Sequence, residues 1–169
     1  MNQQRNPFRV NIGFLINQSV GYKRAIPIEV EAFNFDDGLA VEDIQGSIEL
    51  SRTREGIVAL GQIQGKIPAE CSRCLSDFIL LVKSQFEEFF SFHRKSEAQE
   101  DELLIPEDGN IDFLPIFEEY FLLEIPINPV CSADCRGLCA VCGQNLNEEL
   151  CQHMLSRELD QKHKEKTKS

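Results

Sequence analysis

Ile57-Val-Ala-Leu-Gly-Gln-Ile-Gln-Gly-Lys-Ile67 places Ile57, Ala59, Gly61, Ile63, Gly65 and Ile67 at every second position. Period two is the repeat of a strand with one buried face. Upstream, Ile44, Ile48 and Leu50 alternate with polar residues, and Arg52-Thr-Arg-Glu-Gly56 supplies a turn in which Gly56 is free to take positive φ. The two runs predict a hairpin. Gly61 and Gly65 predict a bend or bulge, as in a strongly curled sheet. Downstream, Phe78, Leu80, Val82, Phe86, Phe90 and Phe92 share one parity. They predict a third strand whose phenylalanine face is core. Ile26–Glu31 and Phe8–Ile12 read as shorter strands.

The pattern changes after His93. Residues 93–109 are polar and acidic, with Glu100-Asp-Glu102 at their centre, and predict a loop. A helix is expected from Asp112, which can cap it, with Pro115 in the first turn and Glu118 and Glu119 following. Phe113, Ile116, Phe117, Tyr120, Phe121 and Leu123 form its apolar face, and Pro126 and Pro129 end it. The fold class expected is α+β: a curled, partly barrel-like antiparallel sheet with one packed helix and, read from the Cys-x-x-Cys spacing of Gly137-Leu-Cys139-Ala-Val-Cys142-Gly143, a C-terminal zinc-knuckle module. The organisation expected is a sheet-plus-helix domain over 1–136, a zinc-binding module over 137–155, and a polar tail over 156–169, helical at first and then frayed.

Composition narrows the function. The chain has 169 residues and is 42% hydrophobic, enough for one core without disulfides. It shows no signal peptide and no run near the ~20 apolar residues of a membrane span, so a soluble, cytoplasmic protein is expected. The net charge is −11, and residues 85–124 carry 12 acidic against 2 basic side chains. Such a segment opposes a phosphate backbone, so any nucleic-acid contact must be local. Residues 152–169 are net basic.

Seven cysteines remain: Cys71, Cys74, Cys131, Cys135, Cys139, Cys142 and Cys151. In a reducing compartment clustered thiols are metal ligands or redox groups before they are disulfides. Cys71/Cys74 and Cys139/Cys142 have the Cys-x-x-Cys spacing that aims two thiolates of one tight turn at one ion. Zinc takes four ligands in a tetrahedron. An odd number of cysteines suits neither disulfides nor all-cysteine sites, and adding His153 gives eight ligands, hence two ions. The preferred pairing is Cys71, Cys74, Cys131 and Cys135 in one site, and Cys139, Cys142, Cys151 and His153 in the other. The alternative places Cys131, Cys135, Cys139 and Cys142 together, with Cys71 and Cys74 elsewhere. A redox dithiol needs its Cys-x-x-Cys at a helix N-terminus, whereas Cys71/Cys74 falls between two strands; the spacing does not exclude an iron–sulfur cluster, but nothing suggests an electron partner. Eight ligands for eight positions leave no open coordination site. No phosphate loop, nucleophile elbow or His-Glu-x-x-His stretch is present. No enzyme activity is expected.

Cys71-Ser-Arg-Cys74-Leu75, the acidic loop, Ile111-Asp-Phe, Leu123-Glu-Ile-Pro126, and then Cys131-Ser-Ala-Asp-Cys135-Arg-Gly-Leu-Cys139-Ala-Val-Cys142-Gly-Gln-Asn-Leu-Asn147 follow one another in a characteristic order. In that order they resemble the YceD family, the large ribosomal RNA subunit accumulation proteins of bacteria and plastids. The resemblance covers roughly residues 10–155 and is most specific over Gly137–Asn147. It implies a ribosome-biogenesis factor acting on large-subunit ribosomal RNA or its proteins, and no enzymatic reaction. Members with this tail usually close it with Cys-x-Cys, where this chain has Cys151-Gln-His153. Arg73, Arg136 and the basic tail are the candidate RNA contacts. The competing expectations are a zinc-stabilised protein-interaction adaptor without RNA contact, and a redox or metal-sensing protein.

Overall fold

The chain runs β1 (Arg9–Asn11), α1 (Gly13–Ile16), β2 (Lys23–Asn34), β3 (Ala40–Arg52), β4 (Gly56–Glu70), β5 (Asp77–Ser91), β6 (Asn110–Asp112) and α2 (Leu114–Glu124). The computed structural model describes residues 6–36, 38–93 and 103–155. β2 to β5 form one four-stranded sheet in sequence order, and β1 pairs with β6 in a two-stranded ladder. The Arg52–Gly56 turn joins β3 to β4, whose partners run from Arg52↔Ile57 to Glu42↔Lys66. All six alternating positions from Ile57 to Ile67 are buried.

The sheet is open, not partly barrel-like: β2 and β5 are its two edges, and no ladder joins them among the described residues. Pro27 lies in β2, where an edge strand tolerates a residue without an N–H. The β3–β4 ladder is irregular between Glu42 and Gln45, which leaves Asp43 and Ile44 opposite Gly65. The extra residue is therefore on β3, facing the expected glycine. Asp43 takes φ 54° there, and its carboxylate meets the Lys66 ammonium at 2.6 Å. Gly61 makes room instead of bending. A Cβ on it would lie 2.0 Å from Cζ of Phe86.

Phenylalanine fills the first core. Phe86 and Phe90 on β5 meet Phe113 and Phe117 at 5.6 to 6.3 Å between ring centroids. From the other edge, Phe8 packs at 5.0 Å against both Phe33 and Phe117. Phe113, Ile116, Phe117, Tyr120 and Phe121 are the expected face of α2, but Leu123 is 72% exposed. A 3.6-residue period carries that face on to Glu124 instead. Glu124 accepts a hydrogen bond from the Ser84 hydroxyl at 3.2 Å. Phe113 is the cap residue of α2, and Asp112 acts one residue earlier by accepting the Leu114 N–H at 2.9 Å.

Of the expected acidic loop, 94–102 lies outside the described residues, as does 156–169 of the expected tail. The N–H of Ser91 donates to Leu103 O at 2.8 Å, and the N–H of Ile105 to Ser91 O at 2.9 Å. Residues 152–155 form one helical turn. Contacts divide the chain into two compact units, Met1–Ile67 with Leu81–Ile125, and Pro68–Leu80 with Pro126–Ser169. All seven cysteines belong to the second. No helix among the described residues is long and apolar enough to cross a membrane.

Candidate metal centres

β4 ends at Glu70, and Cys71-Ser-Arg-Cys74-Leu-Ser76 turns the chain back into β5. The turn is closed by its own backbone. The Leu75 N–H donates to Cys71 O at 2.9 Å, and the Cys71 N–H to Ser76 O at 2.9 Å. Leu75 must take φ 57° for this. Pro129 O accepts the Ser72 N–H at 2.8 Å, which brings the Val130–Cys135 segment alongside. Cys71, Cys74, Cys131 and Cys135 then place their sulfurs within 4.8 Å of one another.

Cys139-Ala-Val-Cys-Gly-Gln144 repeats the pattern. The Gly143 N–H donates to Cys139 O at 2.8 Å, and the Cys139 N–H to Gln144 O at 2.8 Å. Gly143 takes φ 73°. Cys139, Cys142, Cys151 and His153 form the second group, again with ligand atoms within 4.8 Å of one another. The structure brings together the two sets of the preferred pairing; Cys131 and Cys135 lie with Cys71 and Cys74, not with Cys139 and Cys142.

The donor sets fit a tetrahedral ion. Cys71 Sγ lies 3.7 Å from Cys135 Sγ, and Cys74 Sγ lies 3.7 Å from Cys131 Sγ. Four sulfurs at ~2.3 Å from one centre are about 3.8 Å apart along each edge. A disulfide would need about 2.05 Å. Among the described residues, little else is buried in this unit. Cys71, Cys74 and Cys135 are a buried cluster with Phe78, Val130 and Leu138 against it, and Cys139, Cys151 and Leu146 are another, beside Met154. The interior is made of ligands.

Charge follows the same arrangement. Burial opposes the Cys71 thiolate, but the backbone N–H groups of Cys131, Cys74 and Arg73 outweigh it and bring the thiol down to about 6. The N–H groups of Val141 and Cys142 bring Cys139 to about 6. The Ser76 hydroxyl and N–H lower Cys74. In the opposite direction, the hydrogen bond with Cys135, followed by burial, pushes Cys131 up to about 12. Cys142 also rises: the Gln144 N–H favours its thiolate, but burial and the nearby Cys139 and Cys151 prevail. Each group loses its first proton readily and resists losing its last. A divalent cation removes that resistance.

Polar groups around the ligands orient them. Arg73 and Arg136 are both exposed. Arg73 Nη1 donates to Cys135 O at 3.1 Å, and Arg73 O accepts the Leu138 N–H at 3.0 Å. Gly137, at φ 73°, passes so near that a Cβ would lie 2.9 Å from Arg73 O. Asn147 was not expected here. Its amide donates to Cys135 Sγ at 3.4 Å and its Oδ1 accepts the Arg136 N–H at 2.7 Å. Asn145 Oδ1 accepts the Asn147 N–H at 3.1 Å. The signal was the Asn-Leu-Asn stretch after the last Cys-x-x-Cys, two short amides able to hold a loop and donate to sulfur.

The sequence profile of the family described as Large ribosomal RNA subunit accumulation protein YceD matches residues 59–168. An uncharacterized protein of Mycobacterium tuberculosis is 32% identical over 125 residues, 72% of this chain and 59% of that protein. An uncharacterized protein of Bacillus subtilis is 36% identical over 72 residues, 43% of this chain and 42% of that one. The Arabidopsis thaliana protein named Large ribosomal RNA subunit accumulation protein YCED homolog 1, chloroplastic, is 27% identical over 176 aligned positions, 85% of this chain and 54% of that one. The chain thus spans about half the length of the curated relatives it matches. No solved structure matches it.

Proposed function

The chain belongs to the YceD family, and from that we propose that it is a cytoplasmic, non-catalytic factor in large ribosomal subunit biogenesis, held together by two structural zinc ions. The observation that carries the role is the family match over residues 59–168. The name of the Arabidopsis relative supports the same reading. The proposed action is to promote accumulation or processing of large-subunit ribosomal RNA, through contact with that RNA or with assembling ribosomal proteins.

Zinc would be held by Cys71, Cys74, Cys131 and Cys135 in one site and by Cys139, Cys142, Cys151 and His153 in the other. The support is chemical: sulfur-dominated tetrahedral sets suit zinc, and zinc supplies folding free energy of about 10 kcal/mol per site to a unit with few apolar residues. With every position taken by a protein ligand, neither ion would have a place for substrate. The test has two parts. Depletion should lower the ratio of large- to small-subunit ribosomal RNA, with rescue by the wild-type chain but not by Cys71→Ser. Metal analysis of protein purified without added metal should give two zinc per chain. An unchanged RNA ratio would sink the biogenesis role, and iron would sink the zinc assignment.

A further inference from the structure

The first unit holds a cationic cleft that the metal centres do not explain. It has a volume of about 560 Å³ and lies between the β3–β4 turn, the end of β5 and α1, lined by Ile16, Arg52, Arg54, Ser91, Phe92 and His93, with Glu55. Such a volume is that of a small-ligand pocket. Among the described residues, its lining carries two arginines and one histidine against one carboxylate, in a chain whose net charge is −11.

The cleft is built rather than incidental. The guanidinium of Arg52 lies 4.2 Å from the centre of the Phe92 ring, and its Nε donates to Ile16 O at 3.4 Å. Nη1 of the same guanidinium is buried and has no hydrogen-bond partner. A stacked guanidinium keeps its in-plane N–H groups for an oxyanion, and leaving one of them buried and unpaired is costly. The turn beside it is fixed. The Thr53 hydroxyl donates to Gly56 O at 2.9 Å and also accepts the Gly56 N–H at 3.0 Å, while the Phe92 N–H donates to Glu55 O at 3.0 Å. Arg54 is thereby held at the tip, exposed, and in no ion pair among the described residues.

We infer that this cleft binds a phosphodiester of single-stranded RNA, with Arg52 and Arg54 on the phosphate and the Phe92–Arg52 stack beside the nucleoside. This rests on the biogenesis reading above. It also meets the constraint set by the acidic residues, because a single nucleotide can enter a local positive site where a duplex tracking the surface would be repelled. Arg52 and Arg54 precede the stretch matched by the family profile, residues 59–168.

The test is fluorescence anisotropy of the full-length, metal-loaded chain with a labelled single-stranded oligoribonucleotide, titrated over salt. Arg54→Gln, at an exposed turn tip, should weaken binding three- to tenfold (estimated) and reduce the salt slope by about 0.7. Arg52→Lys keeps the charge but loses the planar fork, and should weaken it further; circular dichroism and metal content verify its fold. Inorganic phosphate should compete in the wild type and compete less in Arg54→Gln. Equal affinities for wild type and Arg54→Gln, or no RNA binding at all, overturn the assignment. Phosphate binding that depends on Arg54 while RNA binding does not would mark a small-anion pocket and overturn it too. RNA binding that depends on Arg54, together with an unchanged ribosomal RNA ratio on depletion, would uphold the cleft and sink the biogenesis role.

Discussion

Cys71–Ser76 and Cys139–Gln144 fold to one hydrogen-bond pattern from dissimilar residues. In both, the first cysteine's carbonyl accepts the N–H four residues on and its N–H donates to the carbonyl five residues on. The left-handed position is Leu75 in one and Gly143 in the other. Glycine takes that conformation freely, whereas leucine is strained there by about 1 kcal/mol. The turns also close differently. The first meets Cys135 across 64 residues, while the second finds Cys151 and His153 just downstream. Local geometry is thus set by aiming amides at sulfur, and the residues around it set how much strain and how much chain entropy the metal must overcome.

The largest break in this comparison is removal of a ligand. Cys71→Ser and Cys139→Ser should each lose one metal equivalent. Cys139→Ser should be the more destabilising, since the first centre closes the longer loop and so loses about 1 kcal/mol more chain entropy on binding its ion. Metal content and urea unfolding check both. Loss of both ions in Cys139→Ser would mean the two centres are one coupled cluster.

Acid should break the two turns together. Cys71 and Cys139 ionise at about 6. Free thiols ionise near ~8.5. Their contribution is therefore complete above about pH 8.5 and lost as pH falls through about 6. Metal release to a chromophoric chelator should begin only at or below that lower value, since a bound cation holds the thiolates further down. Release already half complete at about pH 7.5 would show that the amide–sulfur contacts do not hold the thiolates.

Asn147→Ala removes an N–H from Cys135 Sγ and leaves the second group's ligands in place. It should weaken metal binding at the first centre about tenfold or more and leave the second unchanged, as competition with graded chelators would show. The smallest effects exchange the left-handed residues. A Cβ at Gly143 meets nothing within 4 Å. Gly143→Leu should therefore lower stability by about 1 kcal/mol through backbone strain alone. Leu75→Gly should raise it by a few tenths, relief of strain being offset by glycine's freedom in the unfolded chain. Equal and opposite shifts would mean that the backbone angle alone separates the two turns.

The residues explain what the sequence revealed and what it hid. Period two from Ile57 to Ile67 exposed β4 because burial on one face acts on every second residue. The ligand groups were legible because tetrahedral coordination limits the spacings thiolates can adopt. Asp43 was hidden, since a bulge depends on the partner strand, and Gly65 marked the place without saying which strand held the extra residue. Leu75 gave no sign of its positive φ, which the ligand turn imposes. The pairing of Arg9 with Asp112 was hidden as well, because two three-residue strands so far apart carry no local pattern.

That β1–β6 ladder has a consequence for synthesis. Val10 faces Ile111, about a hundred residues later. At roughly 5–20 residues per second, its partner follows it by some 5 to 20 s. The β2–β5 sheet emerges in strand order and can assemble meanwhile. Phe8, which is wholly buried in the finished protein, can meet Phe33 early but is fully covered only when α2 delivers Phe117. The nascent chain therefore carries a half-covered aromatic beside β1, and that corner of the core closes only after α2 is made.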